Sequence, residues 1–90
     1  MIKLKLMDRE RTLIYDWIEN MREGAERYGG WSVVFPEEAM VEEKLRAPSR
    51  EISFTRHQLE LILDWAEASA ISDAEKLLMA RVKGALEQNP

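Results

Sequence analysis

The heptapeptide LIYDWIE, Leu13 to Glu19, returns 48 positions later as LILDWAE, Leu61 to Glu67. Five of the seven positions are identical, and one of them is a tryptophan, Trp17 in the first copy and Trp65 in the second. At about 100° per residue, each copy places its leucine, isoleucine and tryptophan on one side of a helix and its acidic residues on the other. We therefore predict two helices that bury their tryptophan side.

Each predicted helix follows a short stretch in which apolar and polar residues alternate. The first stretch is MIKLKL (residues 1–6) and the second is EISFT (residues 51–55). A period of two is typical of a strand with one buried face. The sequence therefore predicts two strand-helix pseudo-repeats, over residues 2–28 and 50–70.

Capping signals mark the starts of the helices. Thr55 followed by Gln58, and Ser72 followed by Glu75, match the capping box, in which two side chains satisfy the free N–H groups of a helix start. Asp8 is the predicted N-cap of the first helix. The second box opens a C-terminal helix over residues 72–88, which a short connection joins to the preceding helix as a helical hairpin.

A third strand and a short helix are predicted between the two repeats. Trp31, Val33 and Phe35 alternate with smaller residues, and a helix runs from Glu37 to about Arg46 after Pro36. The predicted fold is a single α+β domain over residues 1–90. It has a small three-stranded sheet with helices packed on it, in β-α-β-α-β-α-α order.

Bulk properties exclude several classes of protein. The chain has no cysteine, which excludes a disulfide scaffold and any cysteine-based zinc site. No apolar run is long enough to span a bilayer and no secretory signal is visible, so we predict a cytoplasmic protein with no membrane partner. The net charge of −4 disfavours a nucleic-acid partner, because phosphate backbones bind clustered lysine and arginine.

The sequence offers little for catalysis. His57 is the only histidine and has no nucleophile or acid at a known spacing. Glu38 and Glu42 share a helix face, but a carboxylate metal site usually recruits further ligands from elsewhere. We therefore predict a non-enzymatic protein with no catalytic residue, no cofactor and no metal site.

The apolar helix faces are wide for so small a domain, which favours a protein partner. Surplus apolar surface commonly marks an interface. The candidate interface residues are Tyr15 and Leu63, which occupy matching positions in the two repeats, followed by Tyr28 and Trp31. The leading functional prediction is a small adaptor, inhibitor or regulator that binds another protein and self-associates as a homodimer. A small phage protein would have this size.

Residues 50–86 resemble a ribbon-helix-helix unit. They comprise a short strand, REISF (50–54), a helix, a tight connection and a second helix that opens ISDAEKLL. The resemblance implies a dimeric DNA-binding module whose strand side chains read the major groove. By position, it implies that Arg50, Glu51 and Ser53 are the strand contacts. This DNA-binding regulator is the alternative functional prediction.

Overall fold

The computed structural model describes the backbone of residues 1–27 and 36–89, and the side chains within those ranges apart from residues 24–27 and 36. The elements are, in order, β1 (Ile2–Lys5), α1 (Asp8–Arg27), α2 (Pro36–Arg46), β2 (Glu51–Phe54), α3 (Arg56–Ser69) and α4 (Asp73–Gln88). Over the described ranges, no helix combines the length and the apolar character that crossing a membrane requires.

The prediction of a three-stranded sheet with alternating strands and helices is wrong. In the part of the chain that the structure describes, β1 and β2 form a two-stranded antiparallel sheet, with Ile2 facing Phe54 and Lys5 facing Glu51. The strand predicted over residues 31–35 lies outside the described residues. The observed order is β-α-α-β-α-α. The broader prediction of a small α+β protein is confirmed.

Side chains from the helices explain why two strands suffice. Lys44 Nζ, from α2, donates a hydrogen bond to the carbonyl oxygen of Ser53 on β2 at 2.8 Å. Arg81, from α4, donates to the carbonyl oxygen of Lys5 on β1. These carbonyls face away from the partner strand, and a backbone acceptor that has a side-chain donor needs no further strand. The helices thereby cover both edges of the sheet at these points.

The caps of the second half form as predicted. The hydroxyl of Thr55 accepts from the N–H of Gln58, whose side chain accepts from the N–H of Thr55. Ser72 and Glu75 form the equivalent box at the start of α4. The first helix differs from the prediction: Asp8 is its first helical residue, and the N–H of Met7 donates to Glu10 at 3.0 Å. Met7 is therefore the N-cap, and its side chain has no oxygen that could accept from the helix start. The carboxylate of Glu10, three residues later, still accepts from the N–H of Met7.

The core lies between the inner face of the sheet and the four helices. Its buried apolar residues come from every element: Ile2, Leu4, Ile52 and Phe54 from the strands, Leu6 after β1, Ile14, Trp17 and Ile18 from α1, Val41 and Leu45 from α2, Leu59, Ile62, Trp65 and Ala66 from α3, and Leu78, Val82 and Leu86 from α4. Both tryptophans of the repeated heptapeptide are buried, as their helical spacing predicts.

The register of the sheet relates the two halves of the chain. Leu4 faces Ile52 across the ribbon, and the same two residues are equivalent in sequence because the repeat has an offset of 48 positions. When equivalent residues pair in antiparallel strands, a local two-fold axis passes between them. The two strand-helix units therefore meet at the centre of the ribbon in the manner of two subunits of a symmetric dimer.

The second helices follow the same relation. Each second helix supplies one cationic side chain that bonds to a strand carbonyl and to the third residue of the helix after that strand. Lys44 of α2 donates to the carbonyl of Ser53 and to the side chain of Gln58. Arg81 of α4 donates to the carbonyl of Lys5 and to the side chain of Glu10. The two sets of acceptors are again 48 positions apart. Among the described residues, each half of the chain (2–46 and 51–88) thus has the order β-α-α, with matching contacts.

Candidate functional site

The outward-facing side of the two-stranded ribbon is the most distinctive polar surface among the described residues. Its four side chains, which we call the outer ribbon face, are Lys3, Lys5, Glu51 and Ser53. The side chain of Lys3 is 72% exposed and that of Glu51 is 47% exposed. Lys3 Nζ lies 3.8 Å from Glu51 Oε1, which forms a weak surface ion pair.

Burial of the opposite side fixes the orientation of this face. The alternate residues Ile2, Leu4, Ile52 and Phe54 are in the core. A slip of one residue in either strand would turn the apolar side chains of that strand toward solvent, so the register is strongly specified. The side chains of the outer ribbon face therefore project in a fixed order.

Charge is distributed unevenly between the ribbon end and the rest of the protein. The strands with their flanking residues, 1–9 and 50–57, contain five basic and two acidic residues, whereas the rest of the chain contains eight basic and fifteen acidic residues. The ribbon end therefore carries a formal charge of +3 in a chain whose net charge is −4. Its basic residues are Lys3, Lys5, Arg9, Arg50 and Arg56.

One of these cations is already engaged within the fold. Arg56 pairs with Glu60 at 3.3 Å and donates to the carbonyl oxygens of Leu86 and Asn89 at the end of α4. It also lines an open depression of about 410 Å³ together with Met1, Ile2, Thr55 and Asn89.

The predicted protein-interface residues are only partly accessible where they are described. Tyr15 and Leu63 are half-buried and pack against the core. The hydroxyl of Tyr15 lies 3.4 Å from the carbonyl oxygen of Glu42, to which it donates. Tyr28 and Trp31 lie outside the described residues. The role of these four residues as a protein interface stays a prediction.

The acidic face of α2 is used to hold α1. Arg22 donates two hydrogen bonds to the carboxylate of Glu42, at 3.0 and 2.8 Å. This bidentate bond lowers the pKa of Glu42 and raises the pKa of Arg22. No group of three or more potential metal-binding side chains occurs among the described residues. Glu42 is thus a structural ion-pair partner, and His57 is an exposed helix residue.

Glu75 joins the start of α4 to the core. One carboxylate oxygen accepts from the N–H groups of Ser72 and Ile71, and the other accepts from Trp17 Nε1 at 2.6 Å. The bond from Trp17 and the bonds from Ser72 and Ile71 lower the pKa of Glu75 against the opposing effect of burial. The ionised carboxylate is therefore the form that stabilises the fold.

A pH series should detect this contribution. Because the pKa of Glu75 is lower in the folded than in the unfolded state, its stabilisation is complete above the ordinary value of 4.5 and is lost as the pH falls through the folded value. We expect Glu75→Gln to lower the free energy of unfolding at about pH 7, and the difference from wild type to shrink at about pH 3. Urea unfolding followed by circular dichroism measures both. The exposed Glu87→Gln is the control, and an E75Q difference that is constant with pH would contradict the prediction.

Sequence reasoning missed that Lys3 and Lys5 share one surface with Glu51 and Ser53. The ribbon-helix-helix resemblance implied contacts from Arg50, Glu51 and Ser53 only, at the second strand. The 48-position offset of the repeated heptapeptide could have indicated this shared surface, because it makes residues 3 and 5 equivalent to residues 51 and 53. Comparison with family models, with curated proteins and with solved structures finds no match for this chain.

Proposed function

We propose that the protein binds duplex DNA through the outer ribbon face, as a single chain that combines two ribbon-helix-helix-like halves. The observation that carries the proposal is the antiparallel ribbon, which is buried on one side and basic at its exposed end. The resemblance of residues 50–86 to a ribbon-helix-helix unit is now matched by a β-α-α arrangement in the first half. The two halves together provide, in one chain, the ribbon that such a module otherwise forms by dimerisation.

The dimensions of the ribbon suit the major groove. B-DNA admits a two-stranded β-ribbon there, with side chains of one face directed at the base edges. Lys3 and Lys5 lie two residues apart on β1, about 7 Å along the strand, and both are exposed. Arg9 and Arg50 are also exposed and flank the strands, where cations are suited to phosphate contacts. The remainder of the protein is acidic, which would keep it away from the backbone and orient the ribbon toward the DNA.

Salt dependence of binding is the direct test. We expect the full chain to bind a fluorescein-labelled duplex of mixed sequence at low salt, measured by fluorescence anisotropy. If Arg9 and Arg50 contact phosphates, affinity should fall roughly tenfold between about 50 and 200 mM salt, because each contact releases condensed counterions. Absence of binding at about 50 mM salt would refute the proposal. A weak affinity that does not change with salt would refute it too.

Protein binding is the second candidate function, favoured by apolar side chains around α4. Ile71 is 84% exposed and Leu77 is 69% exposed, although both are large aliphatic residues. A partner or a second copy of the chain would remove them from water. Sedimentation of the free protein tests this: self-association that Leu77→Asp abolishes would support it, and a monomer at all concentrations would leave self-association without a basis. A non-enzymatic, cytoplasmic protein without cofactor fits both candidates and stays a prediction.

A further inference from the structure

We propose that the outer ribbon face recognises an asymmetric duplex site, with a G·C base pair under Lys3 and Glu51; the inference rests on the proposed DNA-binding function. A ribbon formed by two identical subunits presents the same side chains on both sides of its two-fold axis, and its site mirrors that symmetry. Here the ribbon is formed within one chain, so its two strands are free to differ. The side chains on the outer face show that they do differ.

The local two-fold axis at the centre of the ribbon defines which residues are equivalent. Across that axis Lys3 corresponds to Glu51, and Lys5 corresponds to Ser53, because each pair is separated by the repeat offset of 48 positions. One strand therefore offers two ammonium groups, and the other offers a carboxylate and a hydroxyl. The two strands are related by a local two-fold axis in their backbone, but the side chains that they present to a ligand are different.

This difference has a chemical consequence for base recognition. A lysine donates to the O6 and N7 acceptors of guanine, whereas a glutamate accepts from the N4 amino group of cytosine. A glutamate also repels phosphate and cannot bond to a guanine edge, which presents only acceptors. The two strands therefore favour different bases, and a palindromic site would place one of its half-sites against unsuitable side chains.

Lys3 and Glu51 are close enough to act on a single base pair. Their charged atoms lie 3.8 Å apart on the same surface, with the donor and the acceptor side by side. The major-groove edge of a G·C pair presents guanine acceptors next to the cytosine amino donor. The pair of side chains is complementary to that edge in both donor and acceptor. Lys5, opposite Glu51 in the register, extends the basic side of the site along β1.

Selection from a random duplex library tests the inference with the full chain. We expect wild-type protein to enrich a non-palindromic sequence that contains a preferred G·C pair, with one chain bound per site. Glu51→Ala should lower the preference for that pair by about tenfold, because the acceptor for the cytosine amino group is lost. Glu67→Ala, an exposed change on α3, is the matched control and should leave the enriched sequence unchanged.

A symmetrised variant provides the reverse test. Glu51→Lys combined with Ser53→Lys gives both strands the same pair of lysines, and it should shift the enriched sequence toward a palindrome. Enrichment of a palindrome by the wild type, or of no sequence despite salt-dependent binding, would overturn the inference and leave the proposed DNA binding intact. Failure of every protein to bind any duplex at low salt would instead overturn the proposed function.

Discussion

Replacement of Trp17 by alanine is expected to lower the free energy of unfolding by about 3–5 kcal/mol, the cost of removing a large aromatic side chain from a core. Trp17 is 1% exposed and belongs to α1, which packs against α3 and α4. The substitution also removes the indole N–H that Glu75 accepts at 2.6 Å. A domain of this size has roughly 5–13 kcal/mol of total stability, so the variant should be close to unfolding at ordinary temperature.

Trp17→Phe separates packing from hydrogen bonding. Phenylalanine fills most of the space but cannot donate to Glu75, so we expect a smaller loss of about 1–2 kcal/mol. Urea unfolding should be followed by far-ultraviolet circular dichroism, because the substitution removes a fluorophore. Asp16→Ala, on the exposed side of the same helix, is the control and should change stability by less than about 0.5 kcal/mol. A loss below about 1 kcal/mol for Trp17→Ala would mean that Trp17 is not a core residue.

Reversal of charge on the ribbon should have the largest effect on binding. Replacing both Lys3 and Lys5 by glutamate is expected to reduce duplex affinity by roughly 100-fold or more at low salt, because each lost base contact costs about 1–3 kcal/mol and the new carboxylates repel the phosphates. Both side chains are exposed and point away from the core. Circular dichroism should therefore show an unchanged fold, and anisotropy should report the loss of binding.

Lys76 and Lys83 provide the matched comparison for this double variant. They lie on the solvent-exposed side of α4, and their replacement by glutamate changes the net charge by the same amount. If the outer ribbon face binds DNA, this second variant should keep most of the wild-type affinity, since only general repulsion increases. Equal losses for the two double variants would show that net charge, and not the ribbon, governs the interaction.

The strands β1 and β2 and the starts of α3 and α4 could be predicted from short sequence patterns, without knowledge of what each element packs against. Residues 1–6 and 51–55 alternate with a period of two, and each contains one strand of the sheet. Thr55 with Gln58 and Ser72 with Glu75 start their helices where the capping boxes place them. These signals are reliable because each is satisfied by residues a few positions apart, where chain geometry alone brings the groups into contact.

The candidate site could not be predicted in the same way. The alternation in residues 1–6 shows that Lys3 and Lys5 oppose the buried side, but it does not show what lies beside them. Their neighbours, Glu51 and Ser53, are contributed by the other half of the chain. Arg81, 76 positions away in the sequence, donates to the carbonyl oxygen of Lys5, and no local sequence pattern predicts that hydrogen bond.

The sequence by itself indicated that Trp17 and Trp65 are buried, that α3 and α4 begin after Thr55 and Ser72, and that a strand-helix unit occurs twice. Only the tertiary structure decided that the two strands pair with each other, and that α2 and α4 cover the edges where a third strand was expected. The physical reason is that side-chain periodicity specifies which face of an element is apolar, whereas the choice of partner depends on contacts between distant parts of the chain. The outer ribbon face exists only once that choice is made.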